Sequence, residues 1–67
     1  MKTRDVIAAL EAAGWRLVAT KGSHRQYRHP TKPGRVTIPF HGGNEELVGA
    51  LLASIEQQSG LNLRRRT

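Results

Sequence analysis

The chain contains no cysteine, which excludes a disulfide framework and a zinc–thiolate site. Its 67 residues leave room for one compact domain that buries only about 60% of the surface its unfolded chain exposes. Since no cross-link can supplement so small a core, two or three packed elements must stabilise the fold. The lack of cysteine also fits a reducing compartment, and we expect a cytoplasmic protein.

Long apolar runs are also missing. The apolar stretch near the N-terminus is interrupted by Glu11 and lacks the hydrophobic region of a secretory signal. No other run is long enough to span a bilayer. We therefore expect no membrane among the partners.

Acidic residues are absent from the whole middle of the chain, between Ala12 and Asn44. The chain has 11 Lys and Arg against 5 Asp and Glu, a net charge of +6. All 3 histidines lie in the acid-free segment. Its cations are Arg16, Lys21, Arg25, Arg28, Lys32 and Arg35. Soluble surfaces normally mix the two signs, so a block this one-sided favours a polyanionic partner, and nucleic acid in particular.

Two helical patterns flank this basic segment. Apolar residues recur at helical spacing over residues 4–13, with Thr3 as the expected N-cap and Gly14 as the residue that closes the helix. A second apolar pattern follows Asn44, which can cap a helix with two glutamates in its first turn. Gly49 interrupts that pattern, so a start near Gly49 is the alternative. Gly60 should end this helix.

Between the helices, period-two alternation predicts three strands. They span residues 15–20, 24–29 and 36–40. Trp15, Leu17 and Ala19 should share the core face of the first strand, with Trp15 filling the core and not stacking on a base. Tyr27 should face the core from the second strand. His24 then lies on the opposite side of the sheet, which we call the open face.

Together these elements predict an α+β fold of order α-β-β-β-α. Each helix has one apolar stripe and the strands have one apolar side, so both helices should cover one face of a three-stranded antiparallel sheet. We assign residues 1–61 to a single domain and residues 62–67 to a basic tail. The arginines of that tail, Arg64 to Arg66, are typical of a solvated end that adds nonspecific phosphate affinity.

A histidine on a cationic, open face suggests RNA cleavage. Arg16, Arg28 and Arg35 are expected beside His24, and neighbouring cations favour the neutral imidazole that can act as a general base. Such a base can activate the 2′-hydroxyl of RNA, and cations can stabilise the charge that develops on phosphorus, with no metal needed. A single exposed histidine often has no catalytic role, so spacing alone does not make this assignment.

The turn before His24 has two interpretations. Lys21, Gly22 and Ser23 offer a charge, a backbone amide without a side chain in the way and a hydroxyl, which together could bind a phosphate. An ordinary hairpin turn explains the same residues. The sequence also leaves the identity of the general acid undecided: the candidates are Lys21, His29, His41 and a water molecule.

Several motifs in this order resemble a known family. They are Gly14-Trp15, the KGSHRQY run of residues 21–27, His29-Pro30, the VTIP run of residues 36–39, His41, and the IEQQSGL run of residues 55–61. The set is similar to that of the HicA toxins, also called the YcfA-like family. The match covers nearly the whole chain.

The resemblance implies a fold like that of double-stranded-RNA-binding domains and cleavage of mRNA without a metal cofactor. It implies a HicB-type antitoxin as the inhibitory partner and marks His24 as the catalytic residue. We take Lys21, Gly22, Ser23, Arg25 and Arg28 as the RNA-binding residues. The second helix carries fewer cations than is common in the family, so we expect no RNA contact from it.

A noncatalytic module that binds double-stranded RNA is the main alternative function. It would recognise duplex shape and phosphates without cutting. A DNA-binding module fits less well, because Glu45 and Glu46 make the start of the second helix too acidic for a major-groove reader.

Overall fold

The computed structural model describes residues 1–63. The prediction that Arg64 to Arg66 form a solvated end therefore lies outside the described residues. The elements are α1 (Thr3–Ala12), β1 (Arg16–Lys21), β2 (His24–Arg28), β3 (Val36–Pro39) and α2 (Gly49–Ser59). The three strands form one antiparallel sheet in the order β1-β2-β3. This confirms the predicted α+β class, the element order and the open three-stranded sheet.

The start of α1 differs from the prediction that Thr3 is its N-cap. Lys2 holds the cap position and no side chain caps the helix. Instead, the N–H groups of Thr3 and Arg4 donate to the carbonyl oxygens of Glu45 and Gly43 at 2.9 and 3.0 Å. A distant backbone segment therefore satisfies the first amides of the helix, which removes the need for a side-chain cap.

The end of α1 confirms the role predicted for Gly14. Its φ of +99° lies in the region that favours glycine. A Cβ built at this position would lie 2.9 Å from His29 Nε2. Backbone conformation and the close approach of His29 therefore both require glycine here.

In β1 the predicted alternation is wrong after Leu17. Leu17 pairs with Tyr27 but Ala19 pairs with Gln26, so a bulge at Val18 inserts one extra residue. Ala19 consequently shares the open face with Gln26. Leu17 lies on the same side as Tyr27 but is exposed, whereas Trp15, just before the strand, is fully buried as predicted.

The start of α2 corrects the prediction that Asn44 caps a helix with Glu45 and Glu46 in its first turn. The helix begins at Gly49, as the alternative prediction had it. Glu46 forms an isolated antiparallel bridge with Lys2, and the Leu47 N–H donates to Met1 O at 2.8 Å. This segment therefore runs extended beside the N-terminus, because its backbone groups bond there. Gly60 ends α2 at φ +76°, as predicted.

One hydrophobic core lies between the helices and the sheet. It contains Val6, Ile7 and Leu10 of α1, Leu52 and Ile55 of α2, Tyr27, Val36 and Ile38 of the sheet, and Trp15, Leu47 and Leu63. Both helices pack against β3 and contribute to this single core, which confirms that they cover the same side of the sheet. Within residues 1–63, no helix is long and apolar enough to cross a membrane.

Candidate active site

His24 is the first residue of β2, at the end of a tight hairpin. Lys21 of β1 is its cross-strand partner, and only Gly22 and Ser23 lie between them. Gly22 has a φ of +57°, which suits the first central residue of a type II′ hairpin turn. Directly paired residues share a face, with Cβ atoms about 5 Å apart. The hairpin therefore holds the His24 imidazole and the Lys21 side chain next to each other.

The hairpin turn is tied to the end of β3. The Phe40 N–H donates to Ser23 O at 2.6 Å, and His24 pairs with Pro39. The Arg25 guanidinium lies 3.6 Å above the centre of the Phe40 ring. A backbone bond and a cation–π contact thus fix the turn from two sides.

Arg25 belongs to the side of the sheet opposite His24. It pairs with Ile38, which is fully buried. Burial raises the pKa of the neighbouring Tyr27 hydroxyl, and the bond and charge of Arg25 oppose only part of that shift. Tyr27 therefore stays neutral, and the Arg25 guanidinium is held against Phe40.

The open face carries several cations, of which Lys21 is the one next to His24. Arg16 pairs with Arg28 across β1 and β2, and Gln26 pairs with Thr37 across β2 and β3. Arg35 Nη1 donates to Gln26 Oε1 at 2.5 Å. No strand of the sheet contains an aspartate or a glutamate. An anion that approaches this face meets positive charge without a competing carboxylate on the strands.

The reactive side chains at the hairpin have no partners in the part of the chain described. Among residues 1–63, the His24 imidazole, the Lys21 ammonium and the Ser23 hydroxyl make no hydrogen bond or ion pair. His24 and Lys21 are exposed and Ser23 is half-buried. A neutral imidazole in this position can accept a proton, and the other two groups can donate to a phosphate oxygen.

The His29 ring makes contacts within the fold through both of its nitrogens. Its Nδ1 accepts the Thr31 N–H at 3.1 Å, which leaves the proton on Nε2, 3.0 Å from Ala13 O. The ring also meets Trp15 edge-on, with 5.4 Å between the ring centres. Because both nitrogens are engaged, His29 fits the role of general acid less well than the other candidates.

His41 lies in the loop that follows β3. Its backbone N–H and that of Gly43 donate to the Glu45 carboxylate, the latter at 2.8 Å. Desolvation acts to raise the pKa of Glu45, but backbone N–H bonds and the His41 charge outweigh it, so the pKa lies below its ordinary value. Glu45 is therefore ionised at neutral pH and orders this loop, while the His41 side chain is exposed.

A comparison with protein families identifies the chain. The model of the family described as the HicA toxin of bacterial toxin–antitoxin systems matches residues 3–61. The chain belongs to the HicA toxin family. Membership in this family implies an antitoxin partner. No curated protein sequence matches the chain significantly.

In this HicA-family chain, the structure separates the predicted site residues into three groups. Lys21, His24 and Arg28 lie on the open face. Gly22 and Ser23 form the turn beside them. Arg25 lies on the other side of the sheet, where its guanidinium stacks on the Phe40 ring. Arg28 is four residues along the strand from His24, about 13 Å at 3.3 Å per residue.

Sequence reasoning missed two features of this site, the role of Phe40 and the hydrogen bond between Gln26 and Arg35. Phe40 anchors the hairpin turn and Gln26 accepts the Arg35 bond. Alternation placed both residues on strands, but their partners depend on the strand register, which no local signal in this sequence sets.

Within residues 1–63, no group of three His, Asp or Glu side chains is arranged to hold a metal ion.

Proposed function

We propose that this toxin is an endoribonuclease that cleaves mRNA without a metal ion, with His24 as its general base. The observation that carries the proposal is the pairing of His24 with Lys21 on the open face. Both side chains are exposed. An unoccupied imidazole beside a cation, on a sheet whose strands carry no carboxylate, suits proton abstraction next to a phosphate.

The proposed reaction uses a nucleophile supplied by the RNA itself. His24 takes the proton of a 2′-hydroxyl, the 2′-oxygen attacks the adjacent phosphorus, and the bond from phosphorus to the 5′-oxygen breaks. A general acid then protonates the departing 5′-oxygen. The products are a 2′,3′-cyclic phosphate and a 5′-hydroxyl, so every atom of the RNA is conserved. Lys21 is the cation best placed to stabilise the extra negative charge on the phosphate.

The remaining predicted contacts would hold the RNA backbone. The Gly22 amide and the Ser23 hydroxyl can donate to the phosphate that Lys21 contacts. Arg28 would bind a phosphate further along the open face. Arg25 lies on the opposite side, so it reaches RNA only around the end of the hairpin.

Binding of Arg28 to a phosphate predicts a change in salt dependence. Arg28→Gln should weaken binding of single-stranded RNA about equally for all sequences. The slope of log affinity against log salt should fall in magnitude by about 0.7, because one fewer counterion is released. Fluorescence anisotropy over a salt series would measure both effects.

Arg4→Gln is the matched control for this change. It removes the same charge from α1, where Arg4 Nη1 donates to Asn44 Oδ1 at 2.6 Å, away from the open face. Its salt slope should equal that of the wild type. Equal slopes for Arg28→Gln and the wild type would exclude a phosphate contact at Arg28.

We further propose that the toxin acts in the cytoplasm and that a HicB-type antitoxin neutralises it by covering the open face. Incubation of purified toxin with labelled RNA in excess EDTA tests the nuclease. Cleavage that persists in EDTA supports a metal-independent enzyme. Intact RNA that is nevertheless bound would instead support the noncatalytic RNA-binding module.

A further inference from the structure

β1 is a strand without a buried side chain. None of its residues from Arg16 to Lys21 is buried, although it lies in the same sheet as the buried Tyr27 and Val36. Leu17 is 46% exposed and Val18 is 51% exposed. Because both helices pack against β3, at the opposite edge of the sheet, they do not bury β1. Its apolar centre is therefore presented to solvent.

The outer edge of β1 is also unpaired. The strand has β2 as its single neighbour, and within residues 1–63 no backbone group bonds to its other side. In a two-residue hairpin the closing pair, Lys21 and His24, exchanges hydrogen bonds, so the N–H and C=O of Thr20 point outwards. An unpaired edge with an apolar centre is a template for another strand. The opposite edge is less suited, because β3 has four residues and ends in Pro39.

We propose that the antitoxin adds a strand to the outer edge of β1 in this toxin. The charges of β1 indicate the chemistry of that strand: Arg16 and Lys21 stand at its two ends around Leu17 and Val18. A complementary strand has apolar residues at its centre and acidic residues towards its ends. This inference depends on the antitoxin partner that family membership implies, and it names the surface where that partner docks.

A second copy of the chain is a poorer occupant of the same edge. Antiparallel pairing of two β1 strands would place Arg16 of one copy near Lys21 of the other at both ends. Like charges directly opposite each other destabilise a strand pair. The positive ends of β1 thus favour an acidic partner over self-association.

Docking at β1 also explains how the antitoxin would affect His24. An added strand lies about 4.8 Å from β1 and about 10 Å from β2. Its side chains on the open face would contact Lys21, which is the neighbour of His24. The partner would neutralise the Lys21 charge and block the approach of a phosphate, without touching the helices.

The toxin is co-expressed with its antitoxin, and the affinity of each purified variant for that antitoxin is measured. Leu17→Glu should weaken binding by at least about tenfold, since it buries a charge in the new interface. Leu51→Glu is the matched control: Leu51 is 45% exposed on α2, and its substitution should leave affinity unchanged. RNA cleavage should be normal in both variants.

A backbone variant tests strand addition separately from hydrophobic contact. Thr20→Pro removes the outward N–H and should weaken binding by at least about tenfold, whereas Thr20→Val keeps that N–H and should bind as the wild type does. Thermal melting of each variant shows that the fold is intact.

Normal antitoxin affinity in Leu17→Glu and Thr20→Pro would overturn the proposal, as would a loss caused by Leu51→Glu alone. A toxin dimer that Leu17→Glu dissociates would also overturn it, in favour of a second copy. If the wild type cleaves no RNA but both β1 variants lose the antitoxin, the nuclease proposal fails and the docking surface stands.

Discussion

Replacing His24 by alanine is expected to reduce RNA cleavage by about 10²- to 10⁴-fold, the usual contribution of a positioned general base. RNA affinity and stability should change little, because the His24 side chain is exposed and has no partner among residues 1–63. Single-turnover cleavage of a labelled RNA measures the loss, and arrest of growth on induced expression should disappear with it.

Thr37→Ala is a suitable control for this variant. Thr37 is an exposed residue of β3 on the same open face, paired with Gln26, and has no proposed part in the chemistry. It should cleave at the wild-type rate. Binding of an RNA that carries 2′-deoxyribose at the cleavage site separates affinity from catalysis. Wild-type cleavage by His24→Ala would remove His24 from the mechanism.

Replacing Trp15 by alanine is expected to lower the free energy of unfolding by about 3–5 kcal/mol. Trp15 is fully buried, and its indole N–H has no acceptor within residues 1–63, so the loss is mainly one of packing. A domain of this size has a total stability of only about 3–10 kcal/mol at 0.05–0.15 kcal/mol per residue. A large fraction of the variant should therefore be unfolded at 25 °C, as circular dichroism in a urea series would show.

Leu17→Ala is the comparison for Trp15→Ala. Both residues were expected on one core face, yet Leu17 is half exposed, and its loss should cost less than about 1 kcal/mol. Equal destabilisation by the two substitutions would mean that β1 is packed into the core, contrary to the structure.

The position of His24 could be predicted from local pattern alone. Tyr27 is the apolar residue of β2, and the period of two then sends His24 to the other face of the sheet. Gly14 and Gly60 were also predictable, since the ends of helices commonly require a residue with positive φ. These features depend on neighbours within a few residues.

The bulge in β1 and the start of α2 depend on distant partners. Val18 has ordinary strand propensity, and nothing nearby marks it as an extra residue. Glu45 and Glu46 suit the first turn of a helix, but that segment bonds instead to Met1, Lys2 and Thr3. Bonds between segments far apart in the sequence leave no signal in local composition. The anchoring of the hairpin turn by Phe40 was hidden for the same reason.

The ends of the RNA fragments test the proposed reaction, attack by the 2′-hydroxyl of the RNA, most directly. Wild-type toxin is incubated with an RNA of defined sequence in EDTA, and the products are identified by mass spectrometry. Activation of the 2′-hydroxyl by His24 leaves a 2′,3′-cyclic phosphate and a 5′-hydroxyl, and an RNA with 2′-deoxyribose at that site stays intact. Fragments that carry a 3′-hydroxyl and a 5′-phosphate would contradict this mechanism, because water would then have been the nucleophile.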